Sequence, residues 1–387
     1  MLDDNLSSSS STKSYYSSDS STNLVSLSDI SSNKSLTLFS ILGIGDPIVD
    51  ILSEISSDII EKYGMKLGDS IFASEDCDER NLEMYKILES MPLVNYIPGG
   101  SVQNTMRVIS WRLNNDDDII PRKYFKVSML GSVGDDLYKN KIMNALEDIG
   151  VNPILEILKD DKTSRCGVGV YKKEKLFVTQ LRASKRLSEK FIEENLDKIL
   201  DHHALIIEGY LLNNKFEMLQ KLCHYFSINN KMIILTLSAS FIVKVHYDKL
   251  IELGNKADII AGSLQEAKEL AGTDANSTQD VFINIFKKLK PKDNRLLLFT
   301  DGPNGALCGK YNYENDQLDY IIQCFAPKVK DEEIKDLNGA GDAFLGGFLS
   351  EYMKGRDIND CCKNGIKAAT IILKNVGCTF PKKIKFQ

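Results

Sequence analysis

Histidine is scarce in this chain and cysteine is unpatterned, and these two gaps remove the commonest metal architectures. The four histidines, His202, His203, His224 and His246, lack HExxH spacing, so a metal held mainly by imidazole is not expected. The eight cysteines include one adjacent pair, Cys361 and Cys362, and no CxxC, which argues against a zinc knuckle or a disulfide framework. In a chain this long they read as reduced, buried small hydrophobes. No apolar run reaches the roughly 18 residues of a membrane helix. Neither sign of charge dominates: 48 Lys+Arg stand against 54 Asp+Glu, a net charge of -6. Without a broad basic field, neither nucleic acid nor an anionic membrane is expected as a partner.

What is present begins with serine. Residues 1–35 hold 15 serines and few apolar side chains, and such a segment cannot offset its ordering entropy by burial. It reads as a disordered arm. Its basic residues are Lys13 and Lys34, so neither a secretory signal nor an arginine-rich transit peptide is expected, and the protein is assigned to the cytoplasm. Order is expected from Leu36 onward, and 36–387 is long enough for one large domain with a small accessory layer.

The apolar run from Leu36 to Gly45 predicts a buried first strand. Further strands are predicted at Phe125–Leu130, Leu205–Glu208, Met232–Leu237, Ile259–Ile260 and Arg295–Thr300. Helical periodicity marks Asp136–Ile149, Glu189–Leu200, Asn214–Ser227 and Thr278–Leu289. Strands alternating with amphipathic helices make an α/β fold, a mostly parallel sheet covered on both faces. Asp69–Ala73, Leu93–Ile97 and a hairpin joining Gly167–Tyr171 to Leu176–Leu181 break the rhythm and suggest a small separate sheet. Asn114–Asp118 and Asn312–Asp319 read as surface insertions. No internal repeat is found.

The sharpest chemical signal is Asp336-Leu337-Asn338-Gly339-Ala340-Gly341-Asp342, followed by an apolar helix of small residues. Glycines ahead of a helix expose consecutive backbone N–H groups, and the helix terminus adds positive potential. Such an anion hole suits a phosphate that gains charge during transfer, and Asp342 beside it is placed to take a proton from an attacking hydroxyl. Spacing alone supports equally an ordinary N-cap role for Asp342. The segment is neither a GxxxxGK[ST] loop nor a dinucleotide fingerprint.

Together these residues resemble the ribokinase-like (PfkB-type) carbohydrate and nucleoside kinases, most closely their adenosine-phosphorylating branch. The likeness runs from about Phe39 to Phe386. It rests on Asn338-Gly339-Ala340-Gly341-Asp342-Ala343-Phe344, on Pro98-Gly99-Gly100-Ser101 with Asn104, on Gly43-Ile44-Gly45-Asp46-Pro47-Ile48-Val49-Asp50, and on Gly377-Cys378-Thr379-Phe380-Pro381. It implies a three-layer α/β/α Rossmann-like domain with a small β-sheet lid, formed by segments within about 51–98 and 162–184.

The resemblance also implies roles. Asp342 is the base for the ribose 5′-hydroxyl, and the backbone of Gly339, Ala340 and Gly341 is the anion hole. Asp50 binds the vicinal ribose hydroxyls, aided by Gly99, Gly100, Ser101, Asn104 and Asn338, while Asp46 stands where mammalian relatives carry asparagine. Ile48, Tyr210 and Leu211 are expected around the base, and Trp111 is expected to pack a helix. ATP is the co-substrate, with Thr300 and Gly302 near its phosphates and Mg2+ held through water near Glu266. Adenosine and ATP are thus the expected partners, and a monomer is expected. Several positions depart from the family: Thr236 and Ser263 replace asparagines, Leu337 replaces a threonine, and Lys175 replaces an arginine over the transferring phosphate, with Arg165 nearby as a substitute. These departures leave open a kinase for another nucleoside or sugar, or a nucleoside-binding protein with little activity.

Overall fold

Side chains along a strand alternate between two faces, and in the computed structural model Leu42 and Ile44 enter one apolar layer while Ile41 enters another. The structure describes residues 38–63, 70–72, 79–115, 120–171 and 174–381. The serine-rich arm and the predicted strand start at Leu36 and Thr37 therefore lie outside the described residues, as does most of the Asn114–Asp118 segment.

In chain order the first strands are β1 (Phe39–Ile44), β2 (Ile48–Glu54), β3 (Ser70–Phe72), β4 (Asn95–Gly99) and β5 (Phe125–Gly134). There follow β6 (Asn152–Leu158), β7 (Ser164–Tyr171), β8 (Glu174–Gln180), β9 (Ala204–Glu208) and β10 (Met232–Thr236). The last are β11 (Ile259–Ser263), β12 (Leu296–Thr300), β13 (Ala306–Asn312) and β14 (Gln317–Cys324). Nine of them form one sheet in the order β14-β13-β12-β11-β10-β9-β1-β5-β6. It is parallel from β12 to β6, and β13 and β14 extend one edge as an antiparallel hairpin.

Helices cover both faces. On one side Ile206, Ile234 and Leu298 pack against the helices Ser101–Asn114, Ala340–Tyr352 and Ile358–Leu373, and on the other Ile207, Leu235 and Phe299 meet the helices Phe216–Ile228 and Thr278–Lys288. Trp111 is buried, stacks on Phe380 and donates its indole N–H to the Pro381 carbonyl at 3.0 Å. A second sheet, β3-β8-β7-β2-β4, forms the lid.

Four features depart from expectation. β2 was not among the predicted strands, yet it alternates, with Val49 and Ile51 buried. β6 starts Asn152-Pro153 and lies at the sheet edge, the place where a strand tolerates proline. Asn312–Asp319 is not an insertion but the tip of the β13–β14 hairpin. The predicted helix Glu189–Leu200 is two short helices, because Asn195 caps the first and bonds its side chain back to the Phe191 carbonyl at 2.9 Å. Among the described residues no helix is long and apolar enough to cross a membrane.

The helix Ala340–Tyr352 lies close on its neighbours because it is small where it crosses them. A Cβ at Gly346 would stand 2.7 Å from Val108 Cβ and 2.9 Å from the Thr105 carbonyl oxygen, whereas one at Gly341 would meet nothing within 4 Å. Gly346→Val is expected to lose about 3 kcal/mol through overpacking, and Gly341→Ala to stay within about 0.5 kcal/mol. Urea unfolding of both variants checks the contrast.

Candidate active site

The parallel strands all end at one rim, and the chain leaves that rim through short polar segments: Gly45–Asp46 after β1, Gly209–Tyr210 after β9, Ser238 beyond β10, Glu266 beyond β11 and Asp301 after β12. Beside β1 lie β5 on one flank and β9 on the other, so the order reverses there and a crevice opens beyond the strand ends. The lid strands β2, β4, β7 and β8 run on from this rim.

Two helix N-termini converge in the crevice. The helix Ser101–Asn114 starts at Gly100, whose φ of 99° suits glycine, and the helix Ala340–Tyr352 starts at Gly339, with φ 76°. Ser101 Oγ donates to Asp342 Oδ1 at 2.7 Å and Asn104 Nδ2 donates to Asp342 Oδ2 at 3.0 Å. Asp342 is therefore not the N-cap. Gly339 takes that position and no side chain caps the helix; the Ala340 N–H turns back to the Leu337 carbonyl at 3.4 Å, which leaves the Gly341 and Asp342 amides to the cleft. Burial pushes the Asp342 carboxyl up to about 6, against the lowering effect of the two donated bonds, and Glu266 adds to the rise.

A cavity of about 920 Å³ brings together Asp46, Ile48, Gly100, Ser101, Asn104, Tyr210, Asn338, Gly339 and Asp342. The Tyr210 and Phe241 rings stand 6.2 Å apart on its wall, and the Tyr210 hydroxyl donates to the Ser238 carbonyl at 3.2 Å. A smaller cavity of about 260 Å³ shares Ser101 and Asp342 and adds Gly341, Thr236, Ser263, Glu266 and Thr300. The carboxylate thus stands between two chambers.

Other candidates lie elsewhere. Asp50 is outside the walls of both chambers, packed where Gly99 has no Cβ, near Lys175, Arg107 and Asp336; burial and the Asp336 charge push its carboxyl up to about 7. Lys175 does not reach toward a phosphate, because its ammonium pairs with the buried Asp336, which also accepts from the Asn338 and Gly377 amides. Arg165 alternates with Cys166 along β7, so it points to the reverse face of the lid and lies over the Tyr85 ring at 4.0 Å. Gly302, with φ 50°, is on an exposed turn beyond Thr300. Ala340 lines neither chamber, and Leu211 is fully buried core rather than a wall. Ser263 and Glu266 form a capping box, with Ser263 N–H donating to Glu266 Oε2 at 3.1 Å and Glu266 N–H to Ser263 Oγ at 3.2 Å, which is the S-x-x-E signature in plain sight.

The sequence reading passed over Glu208. It closes the apolar strand Ala204–Glu208, lies buried on the floor of the larger chamber, and accepts the Asp46 N–H at 3.0 Å and the Val102 N–H at 3.1 Å. Burial, with Asp46 adding to it, pushes its carboxyl up to about 8. A carboxylate ending an otherwise apolar central strand was the available signal. Thr179, Leu181, Lys185, Arg186, Asn213 and Asn214 complete the wall.

A three-layer fold with a β-sheet lid, over a cleft where a carboxylate stands beside an uncapped helix terminus, has the makings of a small-molecule phosphotransferase. The sequence profile described as pfkB family carbohydrate kinase matches residues 60–385, and the chain belongs to that family. It is 30% identical over 357 residues to an adenosine kinase of Dictyostelium discoideum, covering 89% of this chain and 98% of that one. It is 29% identical over 353 residues to adenosine kinase 2 of Arabidopsis thaliana, covering 89% and 97%. Among solved structures, Anopheles gambiae adenosine kinase in complex with P1,P4-di(adenosine-5) tetraphosphate is 27% identical, with a TM-score of 0.76 over 89% of this chain and 98% of that one.

A carboxylate in the place of Asp342 takes up a proton only when ionised, so acid removes the active form. With its carboxyl near 6, kcat/KM for phosphoryl transfer is expected to be flat above neutral pH and to fall about tenfold per pH unit below about 6. A steady-state pH profile checks this, and a flat response down to about pH 5 contradicts it.

Proposed function

We propose that this chain transfers the γ-phosphoryl group of ATP to the ribose 5′-hydroxyl of adenosine, giving AMP and ADP, a step of purine salvage. The observation that carries the reading is the Asp342 carboxylate, fixed by Ser101 and Asn104 at the junction of two chambers and beside the open amides of Gly341 and Asp342. The adenosine kinases among its relatives support adenosine as the acceptor.

On this reading the nucleoside occupies the larger chamber. Tyr210 and Ile48 flank the base, and Gly100, Ser101 and Asn338 border the ribose. Asn104 spends its amide N–H on Asp342, while its buried Oδ1 has no partner and remains available to a ligand hydroxyl. Asp50, one residue layer behind Gly99, joins the ribose site as the lid closes. Asp342 accepts the hydroxyl proton as the oxygen attacks in line, and the amides at Gly339 and Gly341, without that of Ala340, hold the phosphoryl oxygens as charge builds. Thr300 and the turn at Gly302 border the ATP phosphates. Lid closure keeps water away from the reacting group.

Among the described residues no group of three or more His, Cys, Asp or Glu could hold a metal ion. That donor set fits Mg2+ carried mainly by nucleotide phosphates and water, with Glu266 in the wall of the smaller chamber holding it through water. When bound, the ion neutralises charge on the β- and γ-phosphate oxygens. A monomer acting in the cytoplasm suits the molecule: Leu52, Cys166 and Val168, one apolar face of the lid, are already buried within this chain.

A second reading, a kinase for another nucleoside or sugar, is favoured by Ser263 and Thr236, which line the smaller chamber at positions where the family resemblance implies asparagine. A coupled ADP-release assay with adenosine, inosine, guanosine, cytidine, ribose and fructose 6-phosphate separates the two. Adenosine is expected to give the highest kcat/KM. A clear preference for any other acceptor overturns the adenosine assignment, and binding without ADP release overturns the enzyme.

A further inference from the structure

The floor of the larger chamber holds a buried charge pair that the phosphoryl-transfer chemistry does not use. Lys215 Nζ lies 3.1 Å from Asp46 Oδ1, and the two side chains are 2% and 7% exposed. Desolvating two such charges costs several kcal/mol, so a buried pair is weak evidence for stability and invites another explanation. Lys215 follows the short helical turn Gly209–Asn213 and lies behind the cavity wall, while Asp46 and Glu208 form part of that wall. Glu208 in turn holds Asp46 from the other side, through the Asp46 backbone N–H at 3.0 Å, and links it to the first turn of the helix Ser101–Asn114 through the Val102 N–H. Asp46 is therefore fixed at its backbone by Glu208 and at its side chain by Lys215.

Fixing Asp46 in this way leaves its second carboxylate oxygen free of protein donors among the described residues, and Asp46 borders the cavity. Its carbonyl oxygen occupies the space that a Gly100 Cβ would take, so it adjoins the start of the helix that carries Ser101 and Asn104. From that helix start Ser101 reaches Asp342. A ligand whose primary hydroxyl reaches Asp342 presents the rest of its sugar there, and a carboxylate accepts hydrogen bonds from vicinal hydroxyls well.

We propose that Lys215 and Glu208 are positioning residues that aim the Asp46 carboxylate at the secondary hydroxyls of the ribose, making this ion pair a determinant of selectivity for ribonucleosides over deoxynucleosides. The inference rests on the nucleoside-kinase reading above and adds a second sugar-reading carboxylate to Asp50. Lys215 acts only through Asp46. The unit selects because a site built to bond a hydroxyl rejects an analogue that lacks it, its acceptor being left unpaired.

The test compares kcat/KM for adenosine with that for 2′-deoxyadenosine and 3′-deoxyadenosine, in the wild type, in Lys215→Met and in Asp46→Ala/Lys215→Met. The double variant removes both charges together, so neither is stranded if the single variant folds poorly. The preference for adenosine over at least one deoxy analogue is expected to shrink about 10- to 100-fold in either variant. The loss on adenosine is expected to fall on KM more than on kcat. A purely structural ion pair would lower the melting temperature and leave the preference intact, and that result overturns the proposal while the kinase reading stands. Absence of adenosine turnover in the wild type overturns both.

Discussion

Two hydrogen bonds into one carboxylate hold the functional half of this molecule together. Ser101 and Asn104 begin one helix, Asp342 begins another, and the bonds between them join residues 241 and 238 positions apart in sequence. Both helices lie on the same face of the central sheet and cross closely through Gly346, so the carboxylate sits at the meeting point of two N-termini. One helix follows directly from lid strand β4, the other carries the open amides. Chemistry and lid are thereby coupled through a single side chain, and an electrostatically prepared site of this sort needs little reorganisation when charge develops.

The cleft is rich in acid for one proposed to receive a polyanion. Asp46, Glu208 and Asp342 line it, Asp50 stands just behind, and Glu266 borders the smaller chamber. Lys215 pairs with Asp46 and Lys175 with Asp336, while the Arg107 guanidinium donates to the Pro98 and Cys378 carbonyls. Lys185 and Arg186 line the larger chamber, but among the described residues no Lys or Arg lines the smaller one, where positive potential comes from backbone amides that are fixed and need no counter-charge. Burial then raises Asp342, Asp50 and Glu208 by different amounts according to their partners, so carboxyls of one type acquire separate acid–base properties.

Much of this was legible in the sequence, for identifiable reasons. Central strands such as Leu205–Glu208 are short apolar runs bounded by helices, and a parallel sheet buried on both faces writes itself that way. The Gly339–Asp342 segment stood out as a glycine-led helix start, although spacing alone left an N-cap role for Asp342 equally open until the structure put Gly339 there. Edge elements were not: β6 carries a proline and β2 two acidic residues, since an edge or lid strand need not be apolar throughout. Side-chain direction was also hidden. Arg165 and Cys166 are neighbours in sequence and face opposite ways, and Lys175 is captured by Asp336 from a segment far along the chain. Glu208 left one local mark, a carboxylate closing an apolar strand, but only the sheet order shows that this strand ends under the larger chamber.

The central claim is that Asp342 serves as a proton acceptor at the moment of transfer and contributes little to holding the nucleoside. The most direct measurement is a single-turnover rate of AMP formation for Asp342→Ala against the wild type, with nucleoside affinity measured by calorimetry on the same preparations. The rate is predicted to fall at least about 10²-fold while affinity stays within about threefold. A variant that forms AMP at close to the wild-type rate contradicts the account.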